Sequence, residues 1–227
     1  MTQNQVAIVV GAGPGLGDAL VHRFAAAGMK VAAVSRRGGS RETGPYRDQV
    51  RGYAADATVG EQVAALFAKV GADLGPPDLV VFNVGTWDRA GILDISDMLF
   101  EQAWRTGCFS GFLVGRAAAA SMLPRSRGTI IFTGATASIR GSAGFAAFAV
   151  PKFGLRALAQ SMARELGPKG IHVAHVILDG MIDNEGAADS ETSLGPSAIA
   201  EAYYDLHRQQ RSAWAQEIDL RPAGEKF

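Results

Sequence analysis

Short apolar runs alternate along this chain with segments whose apolar residues recur every three or four positions. The first run, residues 6–10, holds only Val, Ala and Ile, which predicts a strand buried on both faces. It leads into a turn carrying Gly11, Gly13, Gly15 and Gly17. A segment with Leu16, Leu20 and Phe24 at helical spacing follows and closes at Gly28. Further strands are predicted over residues 31–34, 50–55, 79–82, 129–133, 173–178 and 213–220. A second helix is predicted from Thr58, whose spacing to Glu61 matches a capping box and whose buried face carries Val63, Leu66, Phe67 and Val70. Longer helices are predicted over 96–122, stopped by Pro124, and over 146–166; another covers 197–211 with Ile199, Ala202, Tyr203 and Leu206 inward. Gly107, Gly111 and Gly115 interrupt the first of these. A glycine inside a helix costs about 1 kcal/mol relative to alanine, so they predict close packing against another helix or chain. Residues 38–44 read as a loop, and Pro76 and Pro77 as a break before the fourth strand. Strands alternating with helices, with no repeat or linker, predict one domain over residues 1–227: a Rossmann-like α/β fold, its parallel sheet covered by helices on both faces.

Composition narrows the function classes. With 22 basic and 22 acidic residues the net charge is zero, which gives no electrostatic footing for nucleic acid or a membrane surface. A single cysteine, Cys108, excludes an internal disulfide framework and suits a reducing compartment. No run reaches membrane-spanning length, and the first run lacks a basic leader, so a cytoplasmic location is expected.

The glycine turn is the first candidate for chemistry. The common G-x-G-x-x-G fingerprint fails because Leu16 occupies its last position; G-x-x-x-G-x-G fits at Gly11, Gly15 and Gly17. Residues without a Cβ let backbone N–H groups approach a pyrophosphate at the positive end of a helix, although such a turn also occurs merely as a tight turn. The second strand ends at Ser35, Arg36 and Arg37, with no acid. Arginine there suits a ribose 2′-phosphate, so NADP is expected rather than NAD; the alternative is a solvated basic turn. His172 and His175 are read as sharing one face of the sixth strand, a pairing able to bind metal but, without a third ligand in view, read as structural. Cys108 reads as packing, and Pro151 as tolerated near a helix start.

Gly11-x-x-x-Gly15-x-Gly17, Asp56, Asn83-Val84-Gly85, Lys152 and Asp179-Gly180 occur in one order that resembles the short-chain dehydrogenase/reductase family over nearly the whole chain. The resemblance implies a seven-stranded doubly wound sheet that binds NAD or NADP and moves hydride to or from a carbonyl carbon. It implies that Asp56 meets the adenine, that Asn83 and Gly85 line the cofactor, and that Lys152 holds the nicotinamide ribose. Asn184 stands where the family has a threonine that contacts the carboxamide. The departures fall at the catalytic positions: Phe148 replaces the family's tyrosine, Ala135 its serine and Gly107 its helix asparagine. Carbonyl reduction needs a proton as well as a hydride, and phenylalanine and alanine supply none.

The predicted strand ends offer Trp87, Asp88, Thr133, Thr136, Ser138, Arg140, Asp179 and Asn184 as substitutes. Ser138, three residues late for the lost serine, reads as a loop cap or a replacement hydroxyl. Asp179 reads as an acid facing the nicotinamide or as a turn former. Tyr203, Tyr204 and His207 occupy the place of the family's substrate lid, or belong to the core. The resemblance also implies a homodimer or homotetramer built by the long helices and the tail. Two functions stand: an NADP-binding oxidoreductase acting on a small carbonyl-type substrate with a non-standard proton donor, and a catalytically silent dinucleotide-binding protein with a sensing or assembly role.

Overall fold

The computed structural model describes residues 4–38, 45–183 and 191–224. Seven strands and six helices follow in the order β1 (Val6–Val10), α1 (Leu16–Ala26), β2 (Lys30–Ser35), β3 (Val50–Ala54), α2 (Gly60–Asp73), β4 (Leu79–Phe82), α3 (Asp97–Trp104), α4 (Ser110–Met122), β5 (Gly128–Thr133), α5 (Ala146–Leu166), β6 (Ile171–Leu178), α6 (Pro196–Arg208) and β7 (Glu217–Leu220). They form one sheet in the order β3-β2-β1-β4-β5-β6-β7. All six pairings are parallel. This is the Rossmann-like doubly wound fold that the alternation predicts.

Side chains alternate across the pleat, so each central strand serves two layers. Ile8 and Val10 of β1 join Val63, Leu66, Val114 and Leu155 in a core beneath α2, α4 and α5. Their neighbours Ala7 and Val9 join Leu20, Phe24, Ile199 and Tyr203 beneath α1 and α6. A strand buried on both sides needs no polar alternation, which is why β1 and β4 read as unbroken apolar runs.

Several expectations are corrected. Thr58 and Glu61 form no capping box: the cap of α2 is Val59 without a side-chain bond. The Asp56 carboxylate instead accepts from both the Thr58 backbone N–H (2.9 Å) and hydroxyl (2.7 Å). The helix expected over 96–122 starts at the Ser96 cap, but residues Arg105–Phe109 form a π-turn between α3 and α4. That wider turn sets Gly107 on Pro151 of α5, where a Cβ would lie 2.8 Å from the proline ring. The glycines of α4 also pack inside the chain. A Cβ at Gly111 would run into Leu155 and sit 3.3 Å from the Phe82 ring, and one at Gly115 would sit 2.9 Å from Phe132. The glycine spacing is thus explained within the chain and needs no partner.

Pro151 is the sixth residue of α5, beyond the first turn, so it removes an intrahelical bond, and its buried ring is held against the π-turn instead. The helix over 197–211 ends at Arg208, and the last strand begins at Glu217 rather than at 213. Gln209 explains the difference: its side chain accepts from Ala215 N (2.7 Å) and its carbonyl from Trp214 Nε1 (3.2 Å), holding both residues off the ladder.

His172 and His175 do not share a face, because residues three apart in a strand point to opposite sides. His172 stacks on Trp214 at 4.9 Å and donates from Nε2 to Ala215 O (2.8 Å). His175 donates from Nδ1 to Glu217 (2.9 Å) beneath α5, and burial pushes its pKa down to about 4.

Filling the Gly111 contact should overpack the α4–α5 seam. Gly111→Ala is expected to cost about 1–3 kcal/mol, which at roughly 2–4 °C per kcal/mol for a chain of this size appears as a lower Tm in a circular-dichroism melt. Gly71→Ala, where a Cβ meets nothing within 4 Å, is the control and should raise Tm.

Candidate active site

The chain leaves β1 toward one side of the sheet and β4 toward the other, so the C-terminal ends of these adjacent strands open a crevice. Backbones approach closely there. A Cβ on Gly11, whose φ is +96°, would lie 2.7 Å from the carbonyl carbon of Asn83, and one on Gly17 would strike the Gly11 carbonyl. Asn83 closes the contact from the other side, donating from Nδ2 to Gly11 O (3.3 Å). Gly15, with φ +88°, caps α1 and turns its N-terminus toward the crevice. The loop therefore has the shape of an anion cradle: no side chain obstructs it, and a helix start faces it.

Two chambers share Gly11, Asn83, Val84 and Gly85 as a common wall. The first, about 700 Å³, runs past Gly13, Arg36 and Asp56. Arg36 and Arg37 also border a depression with Gly13 and Ser35, and neither joins an ion pair among the described residues. Asp56 is held below the usual carboxylate range by its two Thr58 hydrogen bonds, with Arg36 adding a smaller electrostatic pull. The second chamber, about 420 Å³, is bordered by Leu16, Gly17, Ala135, Phe148 and Lys152. The structure thus gathers Gly11, Gly13, Arg36, Asp56, Asn83 and Gly85 along one side, and Leu16, Gly17, Ala135, Phe148 and Lys152 along the other. Asn184 lies outside the described residues.

Lys152 and Phe148 share one face of α5 because they are four residues apart. The lysine side chain is buried, and its Nζ donates to Thr133 O (2.8 Å) with no carboxylate in reach. Burial without a counter-charge pushes its pKa down to about 8. Nζ lies 6.0 Å from the Phe148 ring and would sit 3.4 Å from a Cβ on Gly85.

Ser138 and Asp179, which the sequence offered as a replacement hydroxyl and acid, do not border the second chamber. Ser138 is fully buried, and its Oγ accepts from Ala135 N (3.1 Å), so it caps its own loop. Asp179 accepts from the Thr136 hydroxyl and pairs with Arg221, turned away from the cleft as a structural anchor. Tyr203 donates to Thr133 Oγ1 (2.9 Å) inside the core, Tyr204 lies under the Arg23 guanidinium, and His207 bonds Thr129. Among the described residues no tyrosine borders either chamber. Cys108 packs on Gly154, and burial raises its pKa, so it is no ready nucleophile. Sequence reasoning missed Thr106 and Gln102 on the first chamber and Met181 and Ile182 on the second. The last two directly follow Asp179-Gly180, where sequence carries only the apolar dipeptide as a signal.

Among the described residues no helix is long and apolar enough to cross a membrane. The family model for short chain dehydrogenase matches residues 5–194. A 3-oxoacyl-(acyl-carrier-protein) reductase of Mycobacterium avium is 32% identical over 178 residues, covering 78% of this chain and 67% of the relative. A short-chain dehydrogenase from Rhodopseudomonas palustris superposes with a TM-score of 0.85 at 40% identity, covering 97% of this chain and 99% of that one. A metagenomic short-chain oxidoreductase solved in complex with NADP superposes with a TM-score of 0.82 at 25% identity, covering 97% and 98% of the two chains.

The buried ammonium generates a stability prediction. Lys152 is depressed in the folded state relative to the unfolded chain, so the unfolded state binds more protons between about pH 8 and 10.5 and stability from this group rises across that window. Below about pH 8 its cost is complete. Lys152→Met should therefore melt higher than the parent at pH 7, and the gap should close as both are titrated toward pH 10.5. A gap independent of pH would show that the ammonium is not the source.

Proposed function

The chain belongs to the short-chain dehydrogenase family, and on that premise we propose an NADP-dependent oxidoreductase of small carbonyl compounds in which Lys152 supplies the proton. The observation that carries this reading is the placement of Lys152: a buried cation without a counter-ion, bordering the same chamber as Phe148 and Ala135. The loop fits a dinucleotide because Gly11 and Gly17 let the strand ends and the start of α1 close together, while the space over Gly13, where a Cβ would meet nothing within 4 Å, stays open for a pyrophosphate. Arg36 and Arg37, which follow a β2 whose own end carries no acid and which outnumber Asp18 around their depression, favour a 2′-phosphate, and the NADP complex of a structural neighbour supports the same choice.

NADPH bound along the two chambers would supply the hydride. The protein's part is to hold the carbonyl and to protonate its oxygen as the carbon takes the hydride. The Lys152 ammonium gives that proton, the C=O becomes a C–H and an O–H, and the neutral amine recovers a proton from solvent. Lowering an ammonium from its ordinary range to about 8 brings it near working pH, where general acids are most effective. A positioned acid contributes about 10²–10⁴ in rate. Phe148 and Ala135 also support a second reading, a dinucleotide-binding protein without turnover, because neither can hydrogen-bond a reacting oxygen.

Two measurements separate these readings. Nicotinamide fluorescence titrations should show NADPH binding more tightly than NADH, with the Arg36→Ala, Arg37→Ala double variant erasing the difference; equal affinities in the parent would remove the NADP assignment. Carbonyl reduction should decline as pH rises through about 8, where Lys152 loses its proton. Lys152→Met should bind NADPH yet reduce carbonyls at least about 10²-fold more slowly. Binding without turnover in the parent would leave the silent protein.

A further inference from the structure

A third chamber, about 260 Å³, opens beside Lys152's and shares Trp87, Ala135, Phe148 and Met181 with it. Its walls are aromatic. The Trp87 ring meets Phe145 at 5.5 Å and Phe148 at 5.0 Å, both at steep angles, which leaves a face of the indole uncovered. Trp87 is 63% exposed and Met181 66% exposed, although both border a concavity. Exposed apolar side chains around a hollow offer area that a ligand would cover.

Charge narrows the ligand further. Arg140 borders this chamber and joins no ion pair among the described residues, whereas Arg89 lies over the Phe145 ring at 5.5 Å. Among the described residues none that borders it is acidic. Asp179, between the bordering Leu178 and Gly180, is engaged by Thr136 and Arg221 and does not neutralise the pocket. The neighbouring chamber adds the Lys152 ammonium and again no acid.

We propose that the substrate is an aromatic carbonyl compound bearing a carboxylate, its ring seated against Trp87, Phe145 and Phe148 and its carboxylate paired with Arg140. This rests on the oxidoreductase reading above and names its substrate class. The planar ring suits the aromatic walls, and a guanidinium recognises a carboxylate through two parallel hydrogen bonds. A volume of about 260 Å³, below the span of drug-sized pockets, limits the occupant to one or two rings. With the carboxylate at Arg140, the carbonyl end extends toward Lys152.

Calorimetric titration with 2-naphthoate and its neutral isostere 2-naphthamide tests this, with NADPH titrated separately. Naphthoate should bind at least about tenfold more tightly than naphthamide, the equivalent of about 1.4 kcal/mol. Arg140→Gln should bring the two within about twofold while retaining the parent's NADPH affinity. Trp87→Ala, with the parent's Tm as the check on folding, should weaken both probes about fivefold or more. Equal affinity for acid and amide in the parent, or indifference to Trp87→Ala, would overturn the proposal. NADPH binding without acid preference defeats the substrate class alone. Naphthoate binding without NADPH binding defeats the cofactor reading and leaves the pocket standing.

Discussion

The tightest constraint in this molecule is the backbone crossing at the end of β1, where Gly11 meets the Asn83 carbonyl and Gly17 meets Gly11. Only residues without a Cβ allow the strand ends and the start of α1 to close to that distance. That closeness brings Gly11, Asn83, Val84 and Gly85 together as the wall between two chambers, so one local crowding sets where each begins. A side chain at Gly11 would push β4 outward and carry Gly85 away from the Lys152 amine. The helices and loops around the cleft are positioned by this contact more than by any ion pair.

What the sequence revealed depended on how local the physics was. Unbroken apolar runs identify β1 and β4 because these strands, buried on both faces, have no polar positions to interrupt them. The glycine loop was legible because its spacing follows from one turn, whereas Lys152 stood out only through the family resemblance. The fates of Ser138 and Asp179 were not, since each depends on a partner the sequence does not point to: Ala135 N within the same loop, and Arg221 on a distant strand end. The π-turn was hidden for a similar reason, since Pro151, on which its Gly107 packs, lies on another helix. The histidine pair shows a simpler lapse, because the odd spacing of 172 and 175 already places them on opposite faces.

The cleft combines hydrophobic walls with uncompensated positive charge. Lys152 pays a desolvation cost that a surface lysine avoids, and Arg140, beside aromatic rings, joins no ion pair among the described residues. Such a site is poor at stabilising the fold and well suited to receiving a negatively charged, flat molecule. Charge that the protein does not satisfy internally is available to a ligand, and its binding would relieve the repulsion between the two cations.

The Asp179 anchor also bears on the order in which the molecule is assembled. Asp179 follows β6, whereas Arg221 follows β7, 42 residues later. The loop between β5 and α5 is tied to the same carboxylate through Thr136. On the ribosome, the half of the sheet from β1 to β3 has its sequence available early, while the floor of the cleft waits for residues near 221. The sequence of the glycine loop therefore emerges well before that of the walls opposite it, and a domain that folds as one unit must wait for both.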